Sequence, residues 1–191
     1  MKIGILGGTF NPPHTGHLIL AEGVKEKLKL EKIIFVPANI PPLKEEKELI
    51  DAKIRLKMIN LSIKGNKHFA SSKIEIERKG VSYTFETIKK IKETFGVNSR
   101  LFFIAGSDVL ENINLWKNKE ELFKLSTFIA VTRKGFKMPS SLPQNIETLE
   151  MNTIEISSSQ IREKIKNGES IRYLVCEPVR LIIERKKLYL T

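Results

Sequence analysis

KIGILGGTFNPPHTGHL, residues 2–18, carries the signals that decide the fold of this 191-residue chain. Residues 2–6 form an apolar run that is typical of a buried strand, and residues 16–28 carry apolar side chains at helical spacing. Between them, Gly7 and Gly8 let the backbone approach a bound group closely. The stretch therefore predicts a strand, a glycine turn and a helix whose free N–H groups face that turn.

The rest of the chain continues this alternation of short apolar runs and amphipathic stretches. Because several of the runs are apolar throughout, they predict a parallel sheet that helices cover on both faces, an α/β fold in one domain over residues 1–191. A loop at 136–145 is the best candidate for a mobile excursion. The predicted strands cover residues 2–6, 32–37, 73–77, 100–106 and 127–132, and the predicted helices cover 16–28, 51–63, 84–95, 158–167 and 178–188.

The predicted helix at 51–63 opens with Asp51, a residue type that caps helix N-termini. Its apolar spacing predicts that Ile54, Met58 and Leu61 face inward. The last predicted helix opens with Pro178 near its first turn, where proline is tolerated because its missing N–H has no helical partner. These two helices mark the second and the last amphipathic segments of the chain.

The charge of the chain indicates an anionic partner. The 33 lysines and arginines against 22 acidic residues give a net charge of +11. The lysines alternate with glutamates along helical stretches, which is typical of solvated faces, and no nucleic-acid-binding motif accompanies them. We therefore expect a small phosphate compound, and no nucleic acid, as the partner.

Cysteine usage and the pattern of apolar residues limit the cellular context. Cys176 is the single cysteine, which excludes an internal disulfide and a cysteine-cluster metal site. No apolar run approaches the roughly 20 residues that span a bilayer, and the first residues lack the pattern of a secretory signal. We expect a cytoplasmic protein with no membrane partner.

Two common phosphate-binding motifs are absent from the glycine turn. Gly4, Gly7 and Gly8 have the wrong spacing for a dinucleotide fingerprint, and no Gly-Lys-Ser/Thr follows them as in a P-loop. The physical requirements of an anion site are nevertheless met, because Pro12 and Pro13 stiffen the turn and a helix begins directly after it. The site lies after the first strand, where ligands bind to parallel sheets.

His14 and His17, at the entrance of that helix, leave three interpretations open. A metal pair needs further ligands, and the third histidine, His68, lies in an unrelated stretch. Structural histidines that cap the turn are the second interpretation. Ligands that donate N–H groups to a transferring phosphoryl group fit best, because that group carries dispersed negative charge.

A serine cluster near the C-terminus, ISSSQIR at 156–162, also allows two interpretations. The hydroxyls of Ser157, Ser158 and Ser159 have the chemistry to cap the following helix and do nothing more. No glutamate stands at capping-box spacing from Ser159, where Arg162 occurs instead. With Arg162 one turn into the helix, the cluster also predicts an anion site built from a helix N-terminus and a guanidinium.

These two stretches together resemble a known family. The pattern of Thr9, Phe10, His14, Gly16 and His17 is similar to the signature of the HxGH nucleotidylyltransferases, whose fold is Rossmann-like, and SSSQIR resembles their second signature. Together they resemble the bacterial nicotinate-nucleotide adenylyltransferases. Four further stretches match that group: IPPLK (40–44), VSYTFET (81–87), AGSDVLENINLW (105–116) and TRKGF (132–136).

The sequence departs from the family pattern at four positions, and neither His14 nor His17 is among them. Leu43 stands where the family has a histidine, so a phosphate-binding role there passes to Lys44. The other three departures replace an alanine, a proline and a threonine; they are Ser107, Lys134 and Ser159.

The resemblance implies transfer of the adenylyl group of ATP to nicotinate mononucleotide, giving deamido-NAD and pyrophosphate. It implies His14, His17 and Arg162 as catalytic residues, and Mg²⁺ carried with ATP and held by no dedicated protein ligands. It leaves assembly into homo-oligomers open, and it keeps nicotinamide mononucleotide and phosphopantetheine as alternative acceptors. The implied ATP-binding residues are Gly7, Gly8, Thr9, Phe10, Gly106, Asp108, Arg133, Ser157, Ser158 and Ser159.

The resemblance also implies an acceptor subsite far from the histidines in sequence. Trp116 would stack on the nicotinate ring, although a lone tryptophan is more often part of a core. Thr84 and nearby backbone N–H groups would bind the nicotinate carboxylate, with Tyr83 and Lys44 beside them. From the residues alone, Asp108 is as well suited to capping a helix as to binding a ribose, and Arg133 is nearly as well explained as a surface residue.

Overall fold

The computed structural model describes residues 1–41, 49–107, 113, 116–132, 145–152 and 154–190. Within these residues, six strands form one parallel sheet in the order β3-β2-β1-β4-β5-β6. The strands are β1 (Lys2–Gly8), β2 (Lys32–Pro37), β3 (Phe69–Ser71), β4 (Arg100–Gly106), β5 (Thr127–Thr132) and β6 (Ile146–Glu150). This is the strand order of a Rossmann fold, so the predicted fold class is confirmed.

Helices connect the strands and follow the last one. In the described part of the chain they are α1 (Thr15–Leu28), α2 (Ala52–Ser62), α3 (Ile74–Arg78), α4 (Thr84–Phe95), α5 (Lys119–Leu125), α6 (Ser158–Lys166) and α7 (Glu177–Arg185). None of the described helices is both long and apolar enough to cross a membrane.

Alternation along the central strands supplies both faces of the sheet with apolar side chains. In β1, Ile3 and Ile5 pack on the face that α4 and α5 cover, and Leu6 packs on the face that α1 covers. Phe103 of β4 and Phe128 of β5 lie in the same cluster as Ile3. The strands are therefore buried on both sides, which explains their apolar runs.

A third core cluster joins α2 to the two C-terminal helices. Met58 of α2 packs with Ile161 of α6, Val179 and Ile183 of α7, and Tyr189 beyond α7. The predicted small helical part at the C-terminus is therefore present, and it packs onto α2 rather than onto the sheet. This packing brings the end of the chain back to the loop that follows β1.

The predicted strand at 73–77 is wrong, because residues 74–78 form helix α3. The edge strand lies earlier, at β3, where Phe69 pairs with Ile33 of β2. Ile74 packs against the core beside Glu75, whose buried carboxylate accepts a hydrogen bond from the Thr87 hydroxyl at 2.6 Å. A five-residue alternation of isoleucine and glutamate fits a strand only if every glutamate is exposed, and here one is not.

The inward face of α2 also differs from the prediction. Asp51 caps the helix as expected, its carboxylate accepting from the backbone N–H groups of Lys53 (2.8 Å) and Ile54 (3.2 Å). Met58 is buried and Ile54 packs against the same cluster, as predicted, but the other fully buried positions are Arg55 and Ile59, and Leu61 is only partly buried. Arg55 is the one charged residue among the three buried positions of α2, and no role was predicted for it from the sequence.

Candidate active site

The glycine turn lies at the carboxyl end of β1, where the strand order of the sheet changes direction. Strands β2 and β3 lie on one side of β1 and β4 to β6 on the other, and Leu6 pairs with Ile104. That register brings Gly8, the last residue of β1, close to Gly106, the last residue of β4. Open parallel sheets bind their ligands at this switch point.

Phe10 turns the chain from β1 toward the histidines. Its backbone adopts φ +51°, in the left-handed region, and its side chain is only 2% exposed. The ring lies 4.8 Å from the imidazole of His17, measured between centroids, and 6.0 Å from the ring of Phe35. An added Cβ at Gly8 would stand 3.3 Å from this ring, so the glycine makes room for it.

The two histidines form a stacked pair at the start of α1. Their ring centroids are 3.6 Å apart, and His14 is the N-cap residue of the helix. The backbone N–H of His14 donates to Nδ1 of His17 at 3.1 Å. Because Nδ1 accepts this bond, a neutral His17 carries its proton on Nε2. His17 therefore presents an N–H donor on the side of the ring away from the helix cap.

Burial keeps His14 neutral. Its side chain is 8% exposed, and among the described residues no hydrogen-bond partner faces its Nδ1. Desolvation lowers the pKa of His14 from 6.5 to about 4. Gly16 fits closely against the same ring, since an added Cβ there would stand 3.1 Å from Nδ1.

The N-terminal turn of α6 packs directly on the turn that precedes the histidines. The Ser158 hydroxyl donates to the carbonyl of Pro12 at 2.8 Å, and Arg162 Nη1 donates to the carbonyl of Asn11 at 3.1 Å. Arg162 Nη2 also reaches the Ser159 hydroxyl at 3.5 Å. The serine cluster and the histidine turn, almost 150 residues apart in sequence, thus meet in one place.

A capping box opens α6, although the sequence analysis found none at Ser159. The N-cap is Ser157, whose hydroxyl accepts from the Gln160 N–H at 3.1 Å, while the Gln160 side chain accepts from the Ser157 N–H at 2.9 Å. The predicted start of this helix at residue 158 is confirmed, but the capping box runs from Ser157 to Gln160, whereas the sequence was tested for a box only from Ser159. Capping and anion binding are therefore compatible, because different serines are available for each.

The expected acceptor residues lie at the start of α4 and just before α5. Tyr83 is the N-cap of α4 and Thr84 its first residue. Trp116 is half-buried, with its ring edge-on to Phe103 (5.7 Å) and Phe128 (5.6 Å). Its neighbour Lys117 places Nζ 4.5 Å from the centroid of the Tyr83 ring, which links the two segments.

Three expected site residues lie outside the described residues: Lys44, Asp108 and Arg133. The predicted loop at 136–145 also falls outside them, apart from its last residue. Within the described residues, no group of three or more histidine, cysteine, aspartate or glutamate side chains is placed to hold a metal ion.

Asn11 is a site residue that the sequence analysis missed. It is 4% exposed, and its Oδ1 accepts from the Tyr189 hydroxyl at 2.9 Å and from the Ile50 N–H at 3.4 Å. Its own carbonyl accepts from Arg162. The sequence did contain a sign of this burial, because Asn11 is a polar residue between Phe10 and Pro12 in a turn that is too short to expose all of its side chains.

Comparison with known proteins agrees with this geometry. The model of the cytidylyltransferase-like family matches residues 5–164. A probable nicotinate-nucleotide adenylyltransferase of Geobacillus thermodenitrificans is 44% identical over 188 residues, which are 98% of this chain and 86% of that protein. One of Exiguobacterium sibiricum is 42% identical over the whole length of both chains.

A solved structure shows the same fold. Plasmodium falciparum nicotinic acid mononucleotide adenylyltransferase, complexed with NaAD, aligns with a TM-score of 0.82 over 98% of this chain and 97% of that one, at 21% sequence identity. The chain thus combines this sheet, the histidine turn and the serine helix, and its relatives at about 40% identity are all named as probable nicotinate-nucleotide adenylyltransferases. The chain belongs to the cytidylyltransferase-like family and, within it, to the bacterial nicotinate-nucleotide adenylyltransferases.

Proposed function

We propose that this chain transfers the adenylyl group of ATP to nicotinate mononucleotide, releasing deamido-NAD and pyrophosphate. The proposal rests on one feature of the molecule, the meeting of the histidine turn and the N-terminus of α6 through Ser158 and Arg162. Two helix N-termini, two imidazoles and a guanidinium then surround one position. That combination stabilises the dispersed negative charge of a polyphosphate.

In the proposed reaction, a phosphate oxygen of the acceptor forms a bond to the α-phosphorus of ATP. The bond between that phosphorus and the oxygen bridging to the β-phosphorus breaks, and pyrophosphate leaves with the electron pair. The nucleophile is already an anion, so no general base has to remove a proton from it. Catalysis then consists of positioning and of charge stabilisation.

The histidines act in this scheme as hydrogen-bond donors. His14 is neutral at pH 7 because of its burial, and a neutral His17 carries its proton on Nε2 because its Nδ1 accepts from the backbone. We assign both to the transferring and leaving phosphates. Arg162 supplies the permanent positive charge, and its bond to the Asn11 carbonyl fixes its position beside them.

ATP is held by the glycine turn, by the serine cluster and by two residues outside the described part of the chain. In the proposal, Asp108 binds the ribose hydroxyls and Arg133 the adenine or polyphosphate side. When bound together with ATP, Mg²⁺ would neutralise phosphate charge, and we propose that the nucleotide would hold it in place of a set of protein carboxylates.

Selection of the acceptor is assigned to the segment around Trp116. The exposed side of its indole stacks on the nicotinate ring, while backbone N–H groups at the start of α4, with Thr84, bind the carboxylate. N–H donors favour an acid over an amide, whose NH₂ group would face other donors. Lys44 would meet the acceptor phosphate.

A panel of acceptors tests the function. Pyrophosphate release would be measured with ATP and, in turn, nicotinate mononucleotide, nicotinamide mononucleotide and phosphopantetheine. We expect the highest kcat/KM with nicotinate mononucleotide. Faster turnover with phosphopantetheine or with the amide would replace the proposed acceptor, and no release with any of the three would reject adenylyl transfer.

A further inference from the structure

A buried arginine lies beneath the site and has no part in the family signatures. Arg55 of α2 is 0% exposed. In the described part of the chain its three hydrogen bonds all go to backbone carbonyl oxygens: Nη1 to Thr9 at 2.7 Å, Nη2 to Asn39 at 3.1 Å and Nε to Ile50 at 3.0 Å. One planar guanidinium thus joins the turn after β1 to both ends of the connection between β2 and α2.

These two loops serve different substrates in the proposed reaction. Thr9 belongs to the glycine turn assigned to the phosphates of ATP. Asn39 follows β2, and its N–H donates to the Ser82 hydroxyl at 2.9 Å, while the Ser82 N–H donates to the carbonyl of Ile40 at 2.8 Å. Ser82 directly precedes Tyr83 and Thr84 at the start of α4. Arg55 therefore connects the ATP side of the site with the acceptor side.

The bond to Thr9 also fixes the orientation of the peptide that follows. In a planar trans peptide the C=O and the next N–H point in opposite directions. Because the Thr9 carbonyl points at Arg55, the N–H of Phe10 points away from it. The same residue has φ +51° and packs on His17. Rotation of this one peptide would move an N–H donor and the support of a catalytic imidazole together.

Stability alone does not account for a cation at this position. Desolvation lowers the pKa of Arg55, and the nearby charges of Asp51 and Glu75 offset part of that effect. Carbonyl oxygens are weaker partners for a guanidinium than a carboxylate is, and burial of a charge is costly where no opposite charge is hydrogen-bonded to it. The guanidinium does supply a geometry that no apolar side chain provides, three donors in one rigid plane.

We propose that Arg55 is a positioning residue that holds the glycine turn and the acceptor loop in register for adenylyl transfer. The inference rests on the proposed function, since it takes turnover of ATP and nicotinate mononucleotide as its readout. Arg55 touches neither substrate. It acts through the Thr9–Phe10 peptide on one side and through Asn39 and Ser82 on the other.

Two substitutions separate positioning from folding. Arg55→Met fills the space without donors, and Arg55→Lys keeps the charge but has no planar fork with which to reach three carbonyls. We expect both to melt cooperatively, and kcat to fall about 10- to 100-fold, the effect of a small displacement of reacting groups. KM for each substrate should change by less than about threefold, because the contacts to each remain. Lysine should recover part of the loss.

The controls make each outcome decisive. Arg100→Lys removes a guanidinium at the opposite end of the sheet and should leave both kcat and KM unchanged. Wild-type kcat in Arg55→Met, or a kcat loss no larger than the loss of folded protein, would overturn the inference. An inactive wild type would instead reject the proposed function, which keeps the two failures distinct.

A second variant decides the matter if neither Arg55 substitution folds. Ser82→Ala removes the hydroxyl that accepts from Asn39 and leaves the buried cation in place. The Ser82 side chain also hydrogen-bonds the Glu75 carboxyl, which is joined to α4 through Thr87. We expect KM for nicotinate mononucleotide to rise several-fold while KM for ATP stays constant, since the lost contacts lie on the acceptor side. Equal kinetics of Ser82→Ala and the wild type would contradict the connection through Asn39.

Discussion

His17 has two roles, as part of the helix cap and as the proposed phosphate donor, and an alanine substitution alone would remove both. Its Nδ1 accepts from the His14 backbone, and its Nε2–H is the proposed donor to phosphate. We expect His17→Ala to lower kcat on the order of 10²- to 10³-fold, as loss of one preorganised donor typically does. His17→Asn is the matched control, because its side-chain oxygen is able to accept from the N-cap without reaching the phosphate. Recovery of kcat in His17→Asn would make the residue a helix cap only.

His14 makes the stability of the protein depend on pH. Because the pKa of the folded state is about 4 and the ordinary value is 6.5, the unfolded chain binds a proton between these values that the folded chain excludes. The free energy of unfolding is therefore highest above pH 6.5 and falls as the pH drops toward 4, by about 3 kcal/mol at most. The same burial should hold His14 neutral across the neutral pH range.

Urea unfolding at pH 7 and pH 4.5 measures this effect. The wild type should lose more stability over the interval than His14→Asn, which has no titrating group at this position. Carboxylates with lowered pKa values, such as Glu22, Glu169 and Glu177, also destabilise the fold in acid, but they are common to both proteins. Parallel losses in the two proteins would show that His14 titrates normally.

At the scale of elements, α6 links helix capping to anion binding. Ser157 holds its first turn through the box with Gln160, and the next residues supply Ser158 and Arg162 to the site. Ser157→Ala should lower the free energy of unfolding by about 1 kcal/mol. Ser157→Asp caps equally well but places a negative charge where pyrophosphate is expected. The Ser157→Asp variant should keep the stability of the wild type, measured by urea unfolding, and lose turnover, measured by pyrophosphate release. Full turnover of this variant would show that pyrophosphate does not bind at the N-terminus of α6.

The segment between β4 and α5 carries Trp116, which rests its edge on Phe103 and Phe128 and leaves part of its ring exposed. Trp116→Ala should raise KM for nicotinate mononucleotide more than KM for ATP, because stacking concerns only the acceptor. Trp116→Phe keeps an aromatic face and should restore most of the difference. Equal changes in the KM for nicotinate mononucleotide and the KM for ATP would show that Trp116 is only a core residue.

Most elements were predictable because their apolar spacing is long enough to identify a period. Strand β2 and strands β4 and β5, with helix α4, have the predicted bounds. The failures are short or polar elements: β3 has three residues, β6 has exposed Glu147 and Thr148, and α5 has seven residues, of which Leu122 is buried. Each is stabilised by pairing or packing with a neighbour rather than by its own pattern.

At the scale of the whole molecule, the end of the chain supports its beginning. Tyr189 is buried, and its hydroxyl donates to Asn11 across 178 positions of sequence. Burial raises the pKa of this phenol, so it remains a donor at any physiological pH. The segment that follows α7 thus supports the site, although no residue of α7 itself is assigned to a substrate.

Removal of that hydroxyl tests the connection. Tyr189→Phe should lower the free energy of unfolding by about 1 kcal/mol, the usual effect of losing a buried hydrogen bond. We also expect a fall in kcat of less than about tenfold, because Arg162 still holds the Asn11 carbonyl. Tyr173→Phe, at an 89% exposed side chain, is the control and should change neither quantity. An unchanged kcat in Tyr189→Phe would limit its role to folding.

The sequence by itself determined the four central strands β1, β2, β4 and β5, the histidine turn and the serine helix, because apolar period and local motif specify elements directly. It also brought Trp116 and Thr84 into consideration, through resemblance. Only the tertiary structure showed that Asn11 joins both ends of the chain and that Arg55 lies beneath the site. These depend on hydrogen bonds between residues far apart in sequence, and a buried polar side chain leaves no periodic signal of the carbonyl or amide that it will meet.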